Sequence, residues 1–139
     1  MKISTWNVNS INARINHLEK FILEDQSDIY LLQELKTVEE GFPKDIIKKL
    51  GYFSYVNGQK AWNGVAIISK KKIKISNTQI PNYDDLNSRL IETEIELKNI
   101  KNKIKLINIY LPNGNPIETD KFDYKLKWME HFNIYVKTL

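Results

Sequence analysis

The sequence predicts an α/β fold in which a mixed, largely antiparallel sheet carries flanking helices, and three observations predict it. Ile11, Ile15, Leu18 and Ile22 recur at spacings of 4, 3 and 4, the period of one helix face. Ile29-Tyr30-Leu31-Leu32 is apolar on both faces, as a buried central strand requires. Residues 89–97 alternate, with Ile91, Thr93, Ile95 and Leu97 on one side and Glu92, Glu94 and Glu96 on the other. The order strand, helix, strand, helix, several strands, helix is that of a mixed α/β layer and not of a doubly wound repeat.

Taken in order, residues 2–8 read as the first strand. Asn9 or Ser10 offers a side-chain cap for the helix that follows, which ends near Asp25. Residues 28–34 form the second strand. A loop with Gly41 and Pro43 leads into a short helix over residues 44–50, stopped by Gly51. Residues 52–57, 62–69 and 72–78 are short β-type segments with tight connections, the pattern of antiparallel strands. Pro81, Asn82, Asp84 and Asp85 mark a loop, and the alternating strand 89–97 follows it. A polar turn is expected at residues 99–102. Residues 103–110 form another strand, with Ile104, Leu106 and Asn108 alternating against Lys105, Ile107 and Ile109. A Pro/Gly/Asn loop over residues 112–116 precedes a last helix opened by Asp120, with Phe122, Leu126, Met129, Phe132 and Val136 on one apolar face.

Composition bounds the rest. A chain of 139 residues makes one domain or part of a larger one. Hydrophobic residues are 42% and charged residues 27%, enough for a packed core and against wholesale disorder. No apolar run approaches the roughly 18 residues of a membrane span, and the first residues lack the apolar stretch of a secretory signal. A soluble, cytoplasmic protein without a membrane partner is expected. The absence of cysteine excludes disulfides, thiolate metal sites and cysteine nucleophiles. The net charge of +4 permits an anionic partner without requiring one.

Polar residues gather where strands end. Asn7 ends the first strand and Glu34 the second; Tyr110 ends the last, and Asn113 follows it in Leu-Pro-Asn-Gly. Ligands of α/β sheets bind outside the carboxyl ends of strands. A carboxylate with an amide oxygen suits a hard cation such as Mg²⁺, while a phenol and a second amide suit phosphate oxygens. The combination points to metal-assisted phosphoryl chemistry. Each residue also has a plainer reading: Glu34 as a surface carboxylate, Asn7 and Asn113 as turn formers, Tyr110 as a boundary aromatic. His17 and His131 fall beside apolar helix stripes and read as boundary residues. The run Lys70-Lys71-Lys72 reads as a solvated turn.

Several segments carry a resemblance. They are Ile3-Ser4-Thr5-Trp6-Asn7-Val8-Asn9-Ser10-Ile11 with Ala13-Arg14, Leu32-Gln33-Glu34-Leu35-Lys36, Asn63-Gly64-Val65-Ala66, Arg89-Leu90-Ile91-Glu92, and Asn108-Ile109-Tyr110-Leu111-Pro112-Asn113-Gly114. On these the sequence resembles the exonuclease III family of AP endonucleases, within the wider endonuclease/exonuclease/phosphatase superfamily. The resemblance implies the N-terminal half of a four-layer α/β sandwich, with the C-terminal half absent, so that residues 1–139 make a partial domain. It implies Mg²⁺-dependent cleavage of DNA phosphodiesters, with Mn²⁺ as the substitute, on double-stranded DNA with abasic sites or 3′ ends. Glu34 matches the metal-ligand glutamate and Asn7 an asparagine beside that metal, so that Glu34 and Asn7 together would hold it. Tyr110 matches the active-site tyrosine near the scissile phosphate, and Asn113 a phosphate-contacting position. Arg14 and Lys36 fall in family motifs that support the site or the DNA.

The chain also departs from the family. Members run to roughly twice this length, and their second half carries a Gly-Asp-x-Asn segment whose Asp helps activate water, a later Asp, and an Asp-His pair. None of these segments occurs here. The expected consequence is a chain without the general base and the histidine, with one apolar sheet face lacking its partner, marginally stable or paired with something. A separately encoded C-terminal half or self-association would complete it. The rival readings are a non-catalytic remnant or DNA-binding half, and a phosphoinositide or lipid phosphodiesterase of the same superfamily.

Overall fold

The computed structural model describes residues 1–97 and 101–139; of the polar turn expected at residues 99–102, the first two residues lie outside them. Among the described residues seven strands and three helices follow in the order β1 (Ile3–Asn7), α1 (Ile11–Asp25), β2 (Ile29–Gln33), α2 (Lys44–Lys49), β3 (Phe53–Asn57), β4 (Val65–Ser69), β5 (Ile75–Asn77), β6 (Leu90–Ile95), β7 (Ile104–Ile109) and α3 (Asp120–Val136). A short 3₁₀ turn, Glu39–Gly41, precedes α2. Each element lies where the periodicity places it, and Gly51, at φ +88°, ends α2 in the left-handed conformation that glycine adopts freely.

The strands build two sheets. The first has the order β1-β2-β4-β3 and the second β5-β6-β7. Among the described residues β1 and β2 run parallel, linked by the α1 crossover, and the other pairs are antiparallel. The first sheet buries one face against α1 and α2, through Ile11, Leu18, Ile22 and Ile47 packed on Tyr30, Leu32, Ala66 and Ile68. Its other face meets the second sheet, where Ile29, Val65 and Ile67 pack on Ile91 and Ile95. The second sheet's far face is covered by α3, where Leu90 packs with Trp128 and Tyr135. Four layers are therefore present: helices, sheet, sheet, helix.

This layering corrects the expectation of a bare sheet face. Both sheets lie within the chain and cover each other. What stays open is narrower: the sandwich-facing side chains of edge strand β1, where Ile3, Thr5 and Asn7 are exposed. A buried amide ties the two sheets. Asn108 on β7 donates from Nδ2 to the carbonyls of Leu32 and Ala66, each at 2.9 Å, and accepts from Gln33 Nε2 at 2.7 Å.

Two local expectations are also corrected. Neither Asn9 nor Ser10 caps α1 with its side chain; Ser10, at φ 81°, makes no such bond. The first N–H groups bond backbone carbonyls instead, Ser10 to Glu34 at 2.8 Å and Ile11 to Leu35 at 3.1 Å. The second correction concerns α3. Trp128 and Tyr135 are its buried residues, with Tyr124 and Phe132 beside them, while Leu126, Met129 and Val136 of the expected face are exposed. The helix is rotated because its aromatic face also carries hydroxyls that the sheet can satisfy. Tyr135 donates to Glu92, a carboxylate that is 0% exposed on β6 and also accepts from Ser76 Oγ, Asn77 Nδ2 and Lys105 Nζ. A buried charge demands such partners, and only this rotation brings the phenol.

Truncating the two faces of α3 distinguishes them. Trp128→Ala is expected to cost about 3–5 kcal/mol in urea unfolding, whereas Leu126→Ala and Met129→Ala stay within about 1 kcal/mol. Equal losses on both faces would put the helix in the other rotation.

Candidate active site

Glu34 follows β2 directly and sits at φ 54°; Lys36, two residues on, sits at φ 55°. Two left-handed residues in one short turn need support, and both flanks supply it. On one side the carbonyls of Glu34 and Leu35 receive the N–H groups that open α1. On the other, Leu35 N–H bonds Gly64 O at 3.1 Å and Lys36 N–H bonds Asn63 O at 3.0 Å. Gly64 permits that approach, since a Cβ there would lie 2.9 Å from Leu35 Cβ, on a backbone at φ +88°.

The turn aims its side chains at the end of β1. Asn7 Nδ2 donates to Glu34 Oε1 at 2.8 Å, and Asn7 Oδ1 accepts the Asn9 N–H at 3.1 Å. That second bond fixes which way the amide faces: N–H toward the carboxylate, oxygen toward the backbone. Lys36 Nζ lies 3.5 Å from Glu34 Oε2 and donates to Asn9 Oδ1 at 2.6 Å. The Tyr110 phenol, just beyond β7, approaches the same carboxylate closely enough to couple their ionisations.

The electrostatics follow. Partial burial pushes Glu34 up, but the Asn7 amide, the Tyr110 phenol and the Lys36 charge outweigh it and hold its pKa below the ordinary glutamate value. Burial and the Glu34 charge push Tyr110 up to about 12, against a smaller opposing pull from Arg89. At neutral pH the site is an ionised carboxylate beside a protonated phenol and an ammonium.

Four of the six expected site residues, Asn7, Glu34, Lys36 and Tyr110, come together. Among the described residues Asn113 makes no hydrogen bond to them; it is exposed on the loop before α3 and its Oδ1 accepts from Asn115 Nδ2 at 2.7 Å. Arg14 stands one turn into α1, and among the described residues it forms no hydrogen bond or ion pair. His131 stacks on Tyr83 with ring centroids 4.2 Å apart and has no contact with the site.

A hard cation fits part of this set. Glu34 is ionised, its side chain is 20% exposed, and one carboxylate with several waters is an ordinary arrangement for Mg²⁺. Asn7, with its oxygen taken by the backbone, fits as the group that orients Glu34. Among the described residues no group of three or more His, Cys, Asp or Glu converges.

Residues 4–133 match the endonuclease/exonuclease/phosphatase family. The chain belongs to that family. Among its relatives, exodeoxyribonuclease III of Haemophilus influenzae is 32% identical over 139 residues, which cover 99% of this chain and 51% of the relative. An AP endonuclease structure from Archaeoglobus fulgidus superposes with TM-score 0.90 at 33% identity, covering 99% of this chain and 51% of that one. A 3′ phosphatase from Neisseria, solved with a product DNA hairpin, gives TM-score 0.84 at 32% identity, covering 99% and 52%. The chain thus spans about half the length of these family members and matches the N-terminal half of the AP endonuclease fold.

Sequence reasoning missed the groups that hold these residues. The Asn63 carbonyl under Lys36 and the Arg89 guanidinium against the Tyr110 ring are tertiary contacts without a local signal. Asn63 and Arg89 did lie in family-like segments, which was the available hint.

Acid titration of the Glu34 carboxyl carbon by NMR is expected to give a midpoint below the ordinary glutamate value, raised by Asn7→Ala and by Lys36→Met. Because the folded pKa is depressed, ionised Glu34 stabilises the fold above its unfolded pKa, and that contribution is lost as pH falls through the folded value. A wild-type midpoint at or above the ordinary value would remove the electrostatic account.

Proposed function

We propose that this chain forms the metal- and phosphate-holding side of a Mg²⁺-dependent DNA-repair nuclease, one that hydrolyses phosphodiester bonds at abasic sites or 3′ ends of double-stranded DNA. The observation that carries this reading is the single carboxylate, Glu34, bonded by Asn7 and paired with Lys36 at the carboxyl ends of β1 and β2, with Tyr110 at the end of β7 on the same side. Relatives whose names denote exodeoxyribonuclease and AP endonuclease, and one solved with DNA, support the substrate class.

In this reading Glu34 holds the Mg²⁺, with Mn²⁺ acceptable to the same oxygen donor. Bound there, the ion supplies Lewis-acid stabilisation of charge on a phosphoryl oxygen. Asn7 keeps the carboxylate aimed. Lys36 adds a positive charge beside the phosphate. Tyr110 stays protonated across the neutral range and donates a hydrogen bond to a phosphoryl oxygen. Asn113 and Arg14 are assigned backbone contacts to the DNA.

Activation of water is assigned to groups outside residues 1–139. No described trio of acidic or imidazole groups performs it, and groups of that kind act as a unit with the metal side. Residues 1–139 by themselves are then expected to hold metal and DNA without cleaving the phosphodiester.

The test is a duplex carrying one abasic-site analogue, incubated with the purified chain and Mg²⁺. Binding without cleavage is expected, and Mg²⁺ binding measured by NMR shifts at residue 34 is lost in Glu34→Gln. Cleavage abolished both by Glu34→Ala and by EDTA would overturn the non-catalytic assignment while keeping the site. Hydrolysis of a soluble inositol phosphate in preference to DNA would overturn the substrate class.

A further inference from the structure

Arg89 immediately precedes β6, and it holds Tyr110 from three directions. Its carbonyl accepts the Tyr110 N–H at 2.8 Å. Its Nη1 donates to the Tyr110 carbonyl at 3.2 Å. Its guanidinium lies over the Tyr110 ring, 5.1 Å from the centroid, and 5.6 Å from the ring of Tyr124 on α3. The planar cation is thus inserted between two phenols, an arrangement favourable to a weakly hydrated guanidinium.

The far side of this clamp is also fixed. Tyr124 accepts from Arg89 Nε at 3.1 Å and from Asn87 Nδ2 at 3.1 Å, and donates to Asp85 Oδ2 at 2.7 Å. Asp85 is buried and takes the Asn87 N–H and Nδ2 on its other oxygen, each at 3.0 Å. Asn87 Oδ1 accepts from Asn63 Nδ2 at 3.1 Å, and the Asn63 carbonyl holds the Lys36 N–H. One hydrogen-bonded network therefore runs from α3 to both sides of the Glu34 carboxylate, to Tyr110 through Arg89 and to Lys36 through Asn63.

We propose that Arg89, locked by Tyr124 and Asp85, is a positioning residue that fixes the Tyr110 ring in the orientation that presents its hydroxyl to Glu34 and to phosphate. The ring also packs against the inter-sheet cluster of Ile29, Val65, Ile67, Ile91 and Ile95, but it follows the end of an edge strand, and a tyrosine ring turns on two torsions. Stacking on a guanidinium whose Nε and Nη1 are both bonded removes that freedom before any ligand arrives, which is how preorganised donors gain their effect. This rests on the reading of Tyr110 as a phosphate-side group, although the clamp itself is a property of the folded chain.

The experiment uses the full chain, with ring-labelled tyrosine and NMR at neutral pH. Tyr110 is assigned by the signal lost in Tyr110→Phe. In the wild type one side-chain rotamer is expected, with nuclear Overhauser contacts from the Tyr110 ring to Arg89. Arg89→Lys keeps the charge and loses the planar fork; it is expected to average the Tyr110 rotamers, and Arg89→Met to average them more. Tyr124→Phe, which keeps the ring and removes only the hydroxyl, is expected to act in the same direction if the Arg89 variants fail to fold. Leu126→Ala, on the exposed face of α3 away from the clamp, is expected to leave the Tyr110 signals in place. A single unchanged Tyr110 rotamer in Arg89→Lys and Tyr124→Phe would overturn the proposal. The readout needs neither DNA nor metal, so it fails separately from the nuclease reading. Tyr110 averaging in variants of a chain that binds no abasic duplex would sink that reading alone.

Discussion

The turn from Glu34 to Lys36 is the constraint on which the rest depends. It leaves β2 with two left-handed residues, a conformation that costs energy at each. The cost is offset because the turn satisfies backbone groups on both sides, the opening N–H groups of α1 and the carbonyls of the segment entering β4. Helix start, strand end and neighbouring loop are therefore held by the same few bonds that orient the carboxylate. Changing the turn would move α1 and the site together.

That arrangement explains why the candidate site lies at one end of the sandwich. Asn7, Glu34 and Tyr110 end three strands drawn from both sheets. The sheets are kept in register at that end by Asn108, whose amide reaches two carbonyls of the opposite sheet and the Gln33 amide. A polar side chain between two apolar sheet faces is directional where hydrocarbon contact is not. It fixes how far β7 slides along β2, and so where Tyr110 stands relative to Glu34.

Much of this was legible in the sequence, for reasons that differ by element. The strands and helices are local patterns, and Ile91, Thr93 and Ile95 share a buried face as their alternation requires. Glu34 and Asn7 stood out as polar residues at the ends of apolar strands. The rotation of α3 was not legible, because the stripe from Leu126 to Val136 and the stripe from Tyr124 to Tyr135 are both apolar enough to pack. The choice lay with hydroxyl partners 30 or more residues away, at Asp85 and Glu92. The α1 cap misled for a related reason. Serine before a helix is a local signal, but here the helix N–H groups find their acceptors in a distant turn. Family likeness located the segments bearing Asn63 and Arg89 without saying what either does.

The buried carboxylate of Glu92 has a consequence for how α3 finds its seat. Hydrocarbon surfaces tolerate many dockings of nearly equal energy, and this helix has two such surfaces to offer. A charge with no exposure tolerates one, since any docking that fails to deliver the Tyr135 hydroxyl leaves it a partner short in a medium that cannot hydrate it. Glu92 therefore works as a lock-in for the helix: it adds little net adhesion and penalises every wrong angle. Because Tyr124 stands on the same helix, that selection is transmitted to Arg89 and the phenol beyond it, so an acidic group remote from the site helps decide how the site is aimed.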